Sequence, residues 1–212
     1  FLLARLWPVL AGTELYTGIV TTVGLTTMIF GAVVALFRHD LKSILAYSTI
    51  SQLGMLVMLL GFSLEAAALA AVLHILNHAA FKAALFMSAG IVEHETGTRD
   101  IRRLGGLAKA MPVTAGIATL AAASMAGLPP LGGFISKEMM LEQSAHTSFA
   151  AQALLVPVLA TIAAMLSAAY SLRYAVALHF GKRRTGEVAA PHDPGAILLG
   201  PPAILAAIAL AL

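Results

Sequence analysis

The chain has 212 residues, of which 59% are hydrophobic and 11% are charged, with a formal net charge of +3. Soluble domains carry about 25% charged residues, so this composition excludes a soluble globular protein and predicts an integral membrane protein. The sequence has no cysteine, which excludes disulfides and thiolate metal sites within it. It also lacks a basic run interleaved with aromatic residues, so we expect no nucleic-acid partner.

Long apolar runs recur along the chain and predict an all-α, polytopic transmembrane helical bundle that forms a single membrane domain. Both ends of the sequence are apolar and suggest a segment of a longer polypeptide. The expected membrane spans are 1–12 (in part), 14–37, 40–62, 65–92, 111–127, 134–144 together with 149–179, and 196–212 (in part).

Two of these spans are separated by a run of helix breakers, Gly127-Leu-Pro-Pro-Leu-Gly-Gly133. Unwound backbone at membrane depth is tolerated only beside protein or water, so this run predicts a broken helix of the kind that lines transport sites. The basic loops at 38–42, 99–109 and 182–184 fall on one side if the spans alternate, and the positive-inside rule assigns that side to the cytoplasm.

The most informative motif is His74-x3-His78-x3-Lys82, which lies within an apolar run. Residues four apart share one face of an α-helix, so the three side chains form a single stripe. Ionisable groups at membrane depth usually face a bundle interior or a water-filled path, and histidine exchanges protons near neutral pH. The stripe therefore predicts a proton relay. The two histidines could also bind zinc, but the sequence shows no third ligand, so we expect no metal site.

Two further lysines are candidates for the same relay. Lys42 begins a helix in which Ser48, Ser51 and Gln52 can hold water, although it could equally be an interfacial anchor after a capping Asp40. Lys137 follows the Pro/Gly break within one helical turn, next to Glu138. Its alternative is a surface ion pair with Glu138 or Glu142, which would contribute little to stability.

Three ordered motifs resemble the antiporter-like membrane subunits of respiratory complex I and of Mrp-type cation/proton antiporters. They are Asp40-Leu-Lys42-Ser-Ile-Leu-Ala-Tyr47-Ser-Thr-Ile-Ser-Gln-Leu-Gly54, His74-x3-His78-x3-Lys82 and Gly132-Gly-Phe-Ile-Ser-Lys137-Glu138. Two other stretches, Glu95 to Ile101 and Ser124 to Pro130, are most similar to the A-type subunits of the Mrp group.

The resemblance implies a core of two inverted five-helix repeats, of which this chain would supply the end of the first and most of the second. It implies that Lys42 and Lys82 belong to a central relay, that His74 and His78 bridge along it, and that Lys137 is its terminal lysine. Asp40, Ser48, Ser51, Gln52 and Glu138 would support the relay. The Glu–Lys pair of the family's first half-channel is absent from this sequence.

The resulting hypothesis is a proton-conducting subunit of a multisubunit Na⁺ or K⁺/proton antiporter, without cofactor or covalent chemistry, in a bacterial plasma membrane. Its expected partners are other subunits of a hetero-oligomeric complex, the lipid bilayer, protons and Na⁺ or K⁺. One alternative is a proton-pumping subunit of a redox-driven complex of the complex I type or a related hydrogenase. Another is a non-conducting scaffold subunit.

Overall fold

The computed structural model of the chain describes residues 2–146, 154–181 and 191–211, and this part consists of helices joined by loops. Among these residues β-type pairing is limited to a single bridge between Asp40 and Asp100. The all-α prediction is confirmed. The helices are α1 (Leu2–Leu10), α2 (Glu14–Phe37), α3 (Leu41–Gly61), α4 (Glu65–Thr96), α5 (Pro112–Ala126), α6 (Gly132–Ala145), α7 (Leu155–His179) and α8 (Ala196–Ala211).

Four of these helices, α2, α3, α4 and α7, are long and apolar enough to cross a membrane. The helices α5 and α8 are apolar but shorter. The second part of the broken helix expected at 134–144 and 149–179 begins in residues that the structure does not describe, and α7 is helical from Leu155. The basic residues at 182–184 also lie outside the described part.

Helix α4 continues one turn beyond the expected end at residue 92, because its stop signal is Gly97. That glycine adopts a left-handed conformation with φ +68° and its N–H bonds to the Glu93 carbonyl, which is how glycine commonly closes a helix. Glu93 therefore lies on the helix and not in a loop. The turn after it bonds to the start of α3, through Leu41 N to Arg99 O (3.0 Å) and Ile101 N to His39 O (2.9 Å). The loops near residues 40 and 100 thus meet on one side of the bundle, which we call the Thr96 side; the opposite side is the Glu65 side.

Helices α2 and α3 pack in very close contact through glycines spaced seven residues apart on each helix: Gly24, Gly31, Gly54 and Gly61. A Cβ atom on Gly24 would lie 2.3 Å from the backbone nitrogen of Met58, and one on Gly54 would lie 2.4 Å from that of Met28. Small residues allow membrane helices to approach at backbone distance. Ser51 adds a hydrogen bond across the contact to the Met28 carbonyl, at 2.8 Å.

We expect Gly24→Ala to lower the unfolding free energy by about 1–3 kcal/mol, because the two backbones must separate to admit one methyl group. The matched control is Gly116→Ala on α5, where an added Cβ meets nothing within 4 Å and where alanine should stabilise the helix by about 0.5–1 kcal/mol. The measurement is the thermal midpoint of the detergent-solubilised full-length protein. Equal midpoints for the two variants would contradict the close α2–α3 contact.

The start of α5 is capped from a distance by Asp193, which precedes α8. Pro112 occupies the first turn and Met111 makes no side-chain cap, so the N–H groups of Val113 and Thr114 need an outside acceptor. Asp193 accepts both, each at 2.9 Å, and also the Thr114 hydroxyl at 2.7 Å. Burial by itself would raise the pKa of Asp193, but the hydrogen bonds from Thr114 and Val113 hold the pKa below its ordinary value of 3.8.

We expect Asp193→Ala to destabilise the protein by about 1 kcal/mol at pH 7, as loss of a helix cap does. Because the folded-state pKa is depressed, this contribution is present above pH 3.8 and is lost as pH falls through the lower folded pKa. Thermal midpoints of the wild type and the variant should therefore converge only below that pH. Asp193→Asn cannot ionise, so its thermal midpoint should differ from that of Asp193→Ala by an amount that does not change with pH. Equal midpoints for the wild type and Asp193→Ala at neutral pH would refute the cap.

Candidate functional site

The candidate site begins on α4, where His74, His78 and Lys82 lie on one stripe as the spacing predicts. His74 has no exposed surface and Lys82 is 5% exposed. The two imidazole centroids are 5.9 Å apart, and the edge of Phe81 packs against both rings at 6.2 and 5.5 Å. The ring of Phe81 therefore packs against the imidazoles of both His74 and His78, which lie one helical turn apart.

The ammonium group of Lys82 points to α3. It donates to the Leu45 carbonyl at 3.1 Å and to the Ser48 hydroxyl. Ser48 itself donates to the same carbonyl at 2.8 Å. Lys82 is therefore held within one turn of α3, and no carboxylate lies within ion-pair distance of it in the described part of the chain.

Lys137 lies at the Pro/Gly break. Its ammonium donates to the carbonyls of Met125 and Ala126, at 2.7 and 3.1 Å, and to the Ser167 hydroxyl on α7 at 2.8 Å. The carbonyls are free because α5 ends at Gly127, which adopts φ +83°. A cation at a helix C-terminus is favoured by the helix dipole and by these unpaired acceptors.

Ser167 and Tyr170, which sequence reasoning missed, connect Lys137 with the predicted residue Gln52 on α3. The amide of Gln52 donates to Ser167 at 3.1 Å and to the Tyr170 hydroxyl at 3.0 Å, and Ser167 and Tyr170 bond to each other at 3.0 Å. All three side chains are buried. The spacing of Ser167, Tyr170, Ser171 and Tyr174, which places four hydroxyl groups on one face of α7, is the sequence signal that could have identified Ser167 and Tyr170.

A second set of contacts joins α4 to α6. His74 Nδ1 and the Ser136 hydroxyl are 2.9 Å apart, and the Asn77 amide donates to the Gly132 carbonyl at 3.0 Å. Neither Asn77 nor Ser136 was a sequence candidate. Ser136 immediately precedes Lys137, so the histidine stripe reaches the broken helix one residue from its lysine.

Lys42 and Asp40 lie apart from these groups, at the Thr96 side. The Lys42 side chain is 43% exposed and pairs with Glu93 at 2.6 Å. Asp40 caps α3 by accepting from Ser43 N at 2.8 Å and pairs with Arg99 at 3.2 Å. The exposed Lys42–Glu93 ion pair is the geometry of an interfacial anchor, and the place of Lys42 in the relay stays a prediction. Ser51 donates to the Met28 carbonyl on α2.

Glu138 and Glu142 do not pair with Lys137, so the surface ion pair considered from the sequence is wrong for these residues. Both carboxylates are exposed and lie on the wall of a cavity of about 540 Å³ between α6 and α7. Lys137 also lines this cavity, although its ammonium is turned to the interior.

No group of three or more histidines and carboxylates that could hold a metal ion occurs among the described residues. Among these residues, His74 and His78 have polar and aromatic neighbours but no third group that could bind a metal ion with them. The arrangement consists of two buried ammonium groups, the buried imidazole of His74, the half-buried imidazole of His78, and hydroxyl groups in contact with both lysines and His74. Such a set can accept and release protons without any bond being made between heavy atoms.

Comparison with known proteins identifies relatives along the whole chain. It is 52% identical over 195 residues to the probable A/B subunit of a K⁺/H⁺ antiporter from Rhizobium meliloti (strain 1021), covering 92% of this chain and 20% of that protein. It is 42% identical to the A subunit of a Na⁺/H⁺ antiporter from Bacillus subtilis (strain 168), covering 100% of this chain and 29% of that protein. The chain thus spans between a fifth and a third of the length of these relatives.

Two solved structures contain a similar arrangement of helices. A chain in the Mrp complex from a Dietzia species matches with a TM-score of 0.88 and 44% identity, covering 100% of this chain and 23% of that one. A chain in the archaeal membrane-bound sulfane sulfur reductase matches with a TM-score of 0.84 and 27% identity, covering 94% and 33%. A family model described as NADH:quinone oxidoreductase/Mrp antiporter, transmembrane, matches residues 1–167. The chain is therefore a multi-pass membrane protein that belongs to the NADH:quinone oxidoreductase/Mrp antiporter membrane family.

Proposed function

We propose that this chain is a proton-conducting segment of the A-type subunit of a multisubunit monovalent cation/proton antiporter in a bacterial plasma membrane. The names of the relatives in Rhizobium meliloti and Bacillus subtilis support an exchange of K⁺ or Na⁺ for protons. The chain spans a fraction of each relative, so the full exchange is the work of the longer protein together with its partner subunits. The protein acts as a transporter, and its chemistry is proton transfer.

The observation that carries the proposal is that the buried polar contacts of two buried lysines approach each other along α3, with one helical turn between the two sets. Lys82 contacts Ser48, Gln52 follows Ser48 by one turn of α3, and Gln52 contacts Ser167, which contacts Lys137. Ionisable groups at membrane depth are costly, so two buried lysines whose polar contacts approach each other support a functional path.

A second route between the same lysines follows the histidine stripe. It passes from Lys82 through His78 and His74 to Ser136, which precedes Lys137. The Nε2 atoms of both histidines are buried and have no hydrogen-bond partner among the described residues. Buried polar atoms of this kind bind internal water, and water beside imidazole supports proton exchange.

Coupling between the lysines follows from electrostatics. Like charges repel more strongly in a low-dielectric interior than in water, so protonation of one lysine favours proton release from the other. A proton that enters at one end can thereby drive release at the far end. The energy available from the membrane potential is about 2.3 kcal/mol per charge per 100 mV.

The route through α3 and α7 makes a specific prediction for Ser167. We expect Ser167→Ala to lower cation-dependent proton flux by about tenfold, because hydrogen bonds to charged groups contribute about 1.5–3 kcal/mol. The matched control is Ser171→Ala, since Ser171 donates only to the Ser167 carbonyl of its own helix, at 2.7 Å. Flux is measured in vesicles that contain the intact complex. Equal flux in both variants would show that protons do not use Ser167.

The function itself is tested by reconstituting the complete complex in vesicles with a pH-sensitive dye inside and an imposed pH gradient. The expected result is proton movement that starts on addition of Na⁺ or K⁺, with no electron donor present. Proton movement that requires NADH and a quinone would instead establish the redox-driven alternative. Cation-dependent flux that survives replacement of both Lys82 and Lys137 by methionine would establish the scaffold alternative.

A further inference from the structure

Helix α6 is separated from α5 by the Pro/Gly break, and Leu131 gives its start no side-chain cap. A continuous helix keeps its residues in register through its own backbone hydrogen bonds, and this ladder stops at the break. The depth and the rotation of α6 in the bundle are therefore decided by its contacts with neighbouring helices. Two adjacent rows of α6 residues make these contacts.

The first row faces α4 and consists of Gly132 and Ser136, which lie one helical turn apart. The Asn77 amide donates to the Gly132 carbonyl at 3.0 Å, and the Ser136 hydroxyl lies 2.9 Å from His74 Nδ1. Asn77 and His74 have no exposed surface. This row sets the register between α6 and the histidine stripe.

The second row faces the end of α5 and consists of Gly133 and Lys137. Gly133 lies so close to Ser124 that a Cβ atom at this position would overlap the Ser124 carbonyl. Lys137 donates to the carbonyls of Met125 and Ala126. A slide or rotation of α6 would therefore move Lys137 away from these acceptors.

The contacts of the two rows differ in how they depend on charge. Among the described residues, α6 forms hydrogen bonds with other helices through Gly132, Ser136 and Lys137. The bonds of Ser136 and Lys137 involve groups that gain or lose a proton, whereas an amide and a carbonyl stay neutral in every protonation state. We propose that Asn77 is a positioning residue, whose amide anchors α6 at one depth while His74 and Lys137 change charge.

The role of this anchor in transport rests on the proposed proton relay, whereas the anchoring itself does not. A displacement of about 1 Å can lower the rate of a reaction about 100-fold, so Asn77 affects proton transfer without carrying a proton. Helix α5 has no titratable residue. The titratable groups on α6 and on the faces of α4 and α7 packed against it are His74, Tyr170, Lys137, Glu138 and Glu142.

The first experiment measures the position of α6 in the intact complex, by double electron–electron resonance between spin labels at Phe30→Cys on α2 and Ile135→Cys on α6. Both side chains are exposed, by 58% and 43%. With Asn77 present, the distance should be equal at about pH 5.5 and about pH 8.5, a range in which histidine changes its charge. In Asn77→Leu it should differ by about 1–2 Å, the size of a small helix shift, because the remaining bonds of α6 depend on charge.

A second variant, Asn77→Ser, makes the smaller change. A serine hydroxyl in a helix bonds to the carbonyl one turn before it, so Gly132 again loses its partner and the distance should again depend on pH. The matched control is Ser88→Ala, which removes a buried hydroxyl of α4 that donates to the Ala84 carbonyl of its own helix, at 2.8 Å. Its distance should not change with pH.

The second experiment measures cation-dependent proton flux per assembled complex on the same variants. Flux should fall by about tenfold or more in both Asn77 variants and should be retained in Ser88→Ala. A pH-dependent distance together with wild-type flux would support the anchor and contradict the relay through Lys137. A distance that is independent of pH in both Asn77 variants, or one that changes with pH while Asn77 is present, would overturn the anchor.

Discussion

Lys82→Ala is expected to abolish cation-dependent proton flux, with a loss of about 100-fold or more, the size of effect that a positioned proton donor and acceptor contributes. Lys82 is the point at which both proposed routes begin, since it contacts Ser48 on α3 and shares the stripe with His78. Removing its amine takes away the protonatable group at which both routes begin. Flux is measured in vesicles that contain the intact complex, with Na⁺ and then K⁺ as the exchanged ion.

The same variant should fold and assemble, because Ser48 keeps its own bond to the Leu45 carbonyl. Lys42→Ala is the matched control: it removes a lysine that is exposed and paired with Glu93, and Arg99 still lies 3.6 Å from that carboxylate. We expect its flux to remain near that of the wild type. Wild-type flux in Lys82→Ala would contradict the relay. Loss of flux in Lys42→Ala would instead support the predicted place of Lys42 in the relay.

The stripe on α4 could be predicted from sequence because its signal is local. Ionisable residues inside an apolar run can be recognised at once, and a spacing of four residues places them on one face. The helix that Lys82 contacts could not be predicted in this way. Its partners Leu45 and Ser48 are more than thirty positions away, and which face of α3 meets α4 is decided by how the bundle packs around the α2–α3 glycines.

Lys42 shows how helix boundaries limit a prediction about a site. The polar residues after Lys42 left a place in the relay open beside an interfacial anchor, and the structure shows its side chain in the first turn of α3, on the Thr96 side. Its partner Glu93 was expected in a loop, and it is on α4 because Gly97 sets the end of that helix. One turn of additional helix therefore brings Glu93 to Lys42, and periodicity alone could not place that end.

Ser167 and Tyr170 were missed for a different reason. A single hydroxyl group in an apolar helix often bonds to the carbonyl one turn before it, as Thr161 bonds to Pro157 at 2.8 Å, so each one carries little information. Their role appears only when Gln52 and Lys137 are brought to the same place. The Pro/Gly break, in contrast, correctly indicated a discontinuity because its residues cannot continue a helix.

Lys137→Arg is expected to stop transport while preserving the structure around the break. Arginine can still donate to the carbonyls of Met125 and Ala126, and it keeps a positive charge in the same position. It stays protonated under all conditions met in proteins, so it cannot release a proton to the next group. We expect flux to fall by about 100-fold with little change in the amount of assembled complex.

Lys137→Met separates loss of the proton carrier from loss of the helix cap. It removes the donor to the α5 carbonyls and should lower the unfolding free energy by about 1–3 kcal/mol, as for a buried acceptor that loses its partner. Thermal midpoints and flux are therefore measured on both variants. If Lys137 carries protons, both variants should lose transport, and Lys137→Met should lose more stability than Lys137→Arg. Full transport in Lys137→Arg would show that a fixed charge is sufficient at this position, and that the proton leaves by another route.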